Sequence, residues 1–194
     1  MEKEIYTAIG IICILSSYGI YLHSIYKGET KPHPFSWFIW GSLTAIIFFA
    51  QFSDGGGVGT IITALSCIIS LGIAAFSFFL RNEITISRGD KIVFILSLCS
   101  IPLWMITETP LWSVILVTLI NVGGFYPTYR KSWVHPEQES CLSYLIGGIK
   151  HVFTLLALEN ISVITALSPA SVIIITSGLI LFIFTRRRVL KNES

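Results

Sequence analysis

Long apolar runs broken by short polar stretches set the pattern of the chain. Seven runs stand out: Ile5–Tyr26, Pro34–Phe52, Gly59–Leu80, Ile92–Ile106, Leu111–Tyr129, Ser140–Leu158 and Ile161–Thr185. Most approach the roughly 20 residues that a helix rising 1.5 Å per residue needs to cross about 30 Å of hydrocarbon. The pattern therefore predicts an all-α integral membrane protein with seven transmembrane helices, of which Ile92–Ile106 is short for a span. The first run is expected to persist as a helix rather than to be a signal peptide. Glu2 and Glu4 offset Lys3 there, and no small-residue cleavage site follows.

Composition strengthens this picture. Hydrophobic residues make up 53% and charged residues only 12%, and the mean hydropathy is +0.76. A soluble chain would carry about twice that charged fraction. The loops leave no room for a separate soluble domain, and a net charge of +2 gives no basic surface for nucleic acid. The expected partners are membrane lipids and a small-molecule solute, with homo-oligomerisation left open.

The basic residues sort across the spans. Alternating the connections puts Lys27, Lys31, Arg81, Arg88, Lys91, Arg130, Lys131, Arg186, Arg187, Arg188 and Lys191 on one side. The other side receives Lys3, with Asp54, Glu108 and Glu159 marking its loops. Positive residues collect on the cytoplasmic face, so the N-terminus is expected outside and the C-terminus in the cytoplasm, in a bacterial inner (plasma) membrane. Lys150 alone falls inside a span.

An internal repeat is visible when "SSYGIYLHSIYKGETKPHPFSWFIWG" is placed over "INVGGFYPTYRKSWVHPEQESCLSYLIGG". Gly19-Ile20-Tyr21 meets Gly124-Phe125-Tyr126, and each triplet leads into a short basic segment, a proline and an aromatic-bearing helix. Further on, "AQFSDGG" falls near "LENISV", and both third helices end in arginine. Each unit thus has three helices, with the short run as a linker between them. An odd linker restores the orientation of the second copy, giving parallel repeats related by a pseudo-twofold along the membrane normal. The expected organisation is 1–80 for the first three-helix unit, 81–109 for a cytoplasmic loop and linker helix, 110–188 for the second unit and 189–194 for a cytoplasmic tail.

This 3+1+3 plan, with a basic loop after the first helix of each unit, resembles the PQ-loop superfamily, which contains the SWEET sugar transporters and the lysosomal cystine carrier. The best local match is "FYPTYRKSW", where Pro127-Thr128 sits at the family's Pro-Gln pair and Arg130-Lys131-Ser132 follows as the basic loop. The equivalent pair in the first unit is Leu22-His23, without proline. The resemblance implies a transporter working by alternating access, a sugar-like substrate, and Pro127 as a hinge. The bland alternative for Pro127 is that it ends its helix at the interface.

Candidate site residues follow from depth in the membrane. Lys150 and His151 lie near the middle of their span, where an ionisable group is costly unless it faces a cavity or finds a partner. No acidic residue lies at that depth elsewhere, so Lys150 could face water or a bound anion, or else snorkel to the interface. His151 could titrate or pack as a hydrogen-bonded side chain. Asn121 carries two donors and an acceptor into its span, for a ligand or for a helix–helix bond. Trp37 and Trp40 share a helix face, Trp37 at the depth of the interfacial aromatic belt and Trp40 one turn deeper, opposite Gly147 and Gly148 of the other unit. Ser66, Ser70, Ser168 and Thr154 could line a cavity or bond their own backbone.

Other chemistries are not called for. Cys13, Cys67, Cys99 and Cys141 show no CxxC or Cys/His spacing and are expected as small buried hydrophobes. The stretch "SDGGGV" is expected as an outer turn and not a phosphate loop, and no Ser/His/Asp or HExxH pattern occurs. No enzyme activity, cofactor or metal is expected. The leading expectation is a small-solute transporter with Trp40, Asn121, Lys150 and His151 lining the substrate site. The alternative is a receptor or accessory protein of PQ-loop type that binds a ligand or partner without moving it. A component of a lipid pathway is a third class.

Overall fold

The computed structural model describes residues 2–27, 34–79, 110–123, 125, 129, 132, 133, 136 and 141–193, together with positions 88, 92, 95, 99 and 106. Among these the protein is all-helical, with no strand. Six helices make up the body: α1 (Glu2–Tyr26), α2 (Pro34–Ser53), α3 (Thr60–Phe79), α4 (Leu111–Gly123), α5 (Cys141–Ala157) and α6 (Val163–Glu193). A 3₁₀ turn, Gly57–Gly59, precedes α3. Three segments are long and apolar enough to cross a membrane: Glu2–His23, Gly57–Ser77 and Val163–Lys191. The apolar parts of α2, α4 and α5 are shorter.

The expected boundaries hold to within a few residues for α1, α2, α3 and α5. Helix α6 continues well past Thr185, so the stretch expected as a tail is helical as far as Glu193. Of the short linker run Ile92–Ile106 only Ile92, Ile95, Cys99 and Ile106 are described, each helical and exposed. Cys99 and the half-exposed Cys13 and Cys141 correct the expectation of buried cysteines, which Cys67 alone meets. Pro127, the expected hinge, lies outside the described residues.

The helices form a ring in the order α1, α3, α2, α4, α6, α5, closing back on α1. Contacts are most extensive between α2 and α3, between α5 and α6, and between α1 and α5. Exchanging α1 with α4, α2 with α5 and α3 with α6 maps the main helix–helix contacts among the described residues onto one another, the α1–α5 contact being much more extensive than its counterpart α2–α4. The order of contacts thus divides into two related halves, with α2 across from α5.

Close packing inside the first half depends on glycine. A Cβ on Gly41 would lie 2.5 Å from Leu71 Cδ2 and 3.2 Å from the Leu71 backbone nitrogen, and Cys67 donates to the Gly41 carbonyl at 3.4 Å. The absent side chain lets α2 and α3 approach closely, as small residues do in membrane bundles. Gly41→Val is expected to destabilise the protein by about 1–3 kcal/mol through overpacking. Thermal unfolding in detergent would show this as a lowered midpoint.

Candidate functional site

A cavity of about 480 Å³ runs along the centre of the ring. The four residues expected at a site, Trp40, Asn121, Lys150 and His151, all line it. So do the hydroxyl residues Ser66, Ser70, Thr154 and Ser168. Two of these also bond their own helix, Ser66 to the Ile62 carbonyl at 3.0 Å and Thr154 to that of Lys150 at 3.0 Å. The cavity and the backbone bonds thus coexist.

Helix periodicity explains which positions face inward. Residues three and four apart share a helix face, and α2 presents Trp37, Trp40, Leu43, Thr44 and Ile47 to the cavity. Helix α5 presents Tyr144, Gly147, Lys150, His151 and Thr154, one for one at a constant offset. In the same way Ile62, Thr63, Ser66 and Ser70 of α3 correspond to Ser168, Pro169, Val172 and Thr176 of α6. The repeat seen in the sequence is therefore repeated in the cavity wall.

Three polar groups in this wall are unpaired. The Lys150 ammonium, the His151 ring and the Asn121 amide make no hydrogen bond among the described residues, and no described Asp or Glu lines the cavity. All three are half-buried, and a polar group on a cavity wall without a protein partner is satisfied by water or a ligand. Trp37 departs from the expectation of a belt residue: it is half-buried, donates to the Tyr21 hydroxyl at 3.0 Å, and meets Trp40 edge-on with centroids 5.4 Å apart. Tyr18 and Ser70 share a hydrogen bond at 3.1 Å beside it.

The acidic end of the ring, which carries Lys3, Asp54 and Glu159, is closed by bonds between the two halves. Glu159 N donates to the Gly56 carbonyl at 3.1 Å, Val58 N donates to Glu159 Oε1 at 3.2 Å, and Asn160 Nδ2 donates to the Asp54 carbonyl at 2.6 Å. Ser162 Oγ donates to Asp54 Oδ2, and Lys3 Nζ to the Leu156 carbonyl at 2.8 Å. The run of glycines permits this fit. Gly57 has φ +62, where L side chains are strained, and a Cβ on Gly59 would lie 2.6 Å from the backbone of Ala157 and Leu158. The stretch expected as a plain outer turn is half of an interlock.

Sequence reasoning passed over Gln51, which sits just below this interlock. Pro169 lies inside α6, and a proline deprives the carbonyl four residues before it of its helical donor. That carbonyl belongs to Thr165, which is fully buried, and Gln51 Nε2 donates to it at 2.8 Å. Gln51 Oε1 in turn accepts from Thr63 at 2.7 Å. One buried amide thus joins α2, α3 and α6 across the two halves. The signal in the sequence was a glutamine near the end of an apolar run, together with a proline inside another.

At the basic end several bonds lie within the second half. Tyr129 donates to the Ile175 carbonyl at 2.9 Å, and Arg186 and Arg187 donate to the carbonyls of Trp133 at 2.9 Å and Pro136 at 3.0 Å. The Arg186 guanidinium also stacks on the Trp133 ring at 4.4 Å. Among the described residues no three metal-ligating side chains come together. No family model matches the chain, and neither a curated protein nor a solved structure matches it.

Proposed function

We propose that the protein is a multi-pass membrane transporter in which two parallel three-helix units, α1–α3 and α4–α6, rock about the central cavity to carry a small polar solute. In this reading the run Ile92–Ile106 supplies the linker span of a 3+1+3 plan of seven spans, and the basic end faces the cytoplasm by the charge rule. The observation that carries this reading is the cavity itself: a space with polar groups set in an apolar lining, between two halves that are bonded to each other at the acidic end. A site between repeats, closed on one side, is what alternating access requires. The resemblance to PQ-loop transporters points the same way.

Breaking the interlock is the motion that would expose the cavity to the acidic side. Nitroxide labels at Phe52→Cys and Ile161→Cys, both at exposed positions of the two interlocking segments, report that motion. The four native cysteines would be changed to serine, and the distance read by pulsed electron resonance in nanodiscs. Two distance populations are expected, a short closed one and a longer open one. A single short population would instead favour a receptor that binds without moving its ligand.

A further inference from the structure

Several equivalent positions of the two units carry opposite chemistry, whereas Thr44 with His151 and Ser70 with Thr176 are polar in both. Leu43 on α2 corresponds to Lys150 on α5, and Ile47 to Thr154. Between α3 and α6 the pairs run Ser66 with Val172 and Thr63 with Pro169, while Ile62 with Ser168 runs the other way. In the ring α5, α1 and α3 are consecutive, as are α2, α4 and α6. The side of the cavity lined by α5, α1 and α3 is the more polar and holds the one described cation, while the side lined by α2, α4 and α6 sets Leu43, Ile47 and Val172 beside Thr44 and Asn121.

From this we infer that the solute is an organic monoanion with an apolar body, a carboxylate borne on a ring or branched hydrocarbon. Its carboxylate would sit at Lys150 and its body against Leu43 and Ile47. This rests on the proposed transport site and names its substrate class. A single ammonium without a described counter-charge is neutralised by one negative charge, and a dianion would leave one charge unpaired in an apolar setting. A sugar carries hydroxyls on every side, and those turned to Leu43 and Ile47 would lose water where the α2 wall offers only the Thr44 hydroxyl between them. An acetate-sized anion would leave most of the cavity unfilled.

Binding of four probes to the full chain in nanodiscs, by isothermal titration, tests the assignment: cyclohexanecarboxylate, its neutral amide cyclohexanecarboxamide, acetate and glucose. The carboxylate is expected to bind at least tenfold more tightly than either the amide or acetate, and more tightly than glucose. Lys150→Met should abolish the preference over the amide, and Lys150→Arg should keep it. Leu43→Asn should weaken the carboxylate at least fivefold while leaving acetate unchanged. Glucose binding more tightly than the carboxylate, equal binding of carboxylate and amide, or no binding of any probe would overturn the inference. The comparison of probes uses the unaltered protein, so it decides the matter even if the Lys150 variants fail to fold. The label-distance measurement needs no ligand. Two distances without a carboxylate preference would remove only the solute class. A carboxylate preference with one distance would remove transport and leave the ligand class standing.

Discussion

Gln51→Leu is expected to destabilise the protein by about 1–3 kcal/mol, the cost of leaving a buried acceptor without a partner. The Thr165 carbonyl has lost its helical donor to Pro169, and in a fully buried site water does not replace the amide. The same logic makes a sharper expectation. Pro169→Ala restores a backbone N–H that can reach Thr165, so Gln51→Leu should cost far less in a Pro169→Ala background. A double-mutant cycle of thermal unfolding in detergent would read this as a coupling of at least about 1 kcal/mol. Additive effects would mean that the amide acts only through its bond to Thr63.

The second large effect is expected at Gly59. A valine there would place its Cβ 2.6 Å from the Ala157 and Leu158 backbone, and no change of rotamer relieves a clash with main chain. The interlock must part, and overpacking of this kind costs about 1–3 kcal/mol. In the proposed transport cycle the clash exists only when the acidic end is closed, so it acts as a bias between two conformations rather than as general damage. Every 1.4 kcal/mol is tenfold in population, so Gly59→Val should raise the open population of the Phe52–Ile161 label pair about tenfold or more. An unchanged distribution would show that the closed end is not the moving one.

Much of this architecture was legible in the chain because a membrane leaves few alternatives. A hydrocarbon surrounding would force helix on an apolar run of sufficient length, and the runs matched α1, α2, α3 and α5 closely. Gly19-Ile20-Tyr21 against Gly124-Phe125-Tyr126 exposed the repeat. Lys150 announced itself, since a lysine in the middle of an apolar run stands out, and it does line the cavity.

What stayed hidden depends on pairs of residues that no local pattern links. Gln51 reads as an ordinary polar residue near a helix end until Pro169 is seen to free the carbonyl it faces, 114 residues away in the chain. Gly57 and Gly59 read as turn formers until Glu159 and Leu158 are found against them. Trp37 has the sequence of a belt residue, yet Tyr21 and Tyr18 draw it inward. In each case a partner on a distant helix decides the role, and hydropathy carries no information about partners.

Access to the cavity from the two faces distinguishes a carrier from a binder most directly. Thr44 lines the cavity and takes cysteine with little change of shape. In a chain with its native cysteines changed to serine, Thr44→Cys would be labelled with a membrane-impermeant maleimide in right-side-out and in inside-out vesicles. Alternating access predicts reaction from both faces, slower from the face with the interlock and accelerated there by Gly59→Val. Reaction from one face alone, unchanged by Gly59→Val, would contradict it.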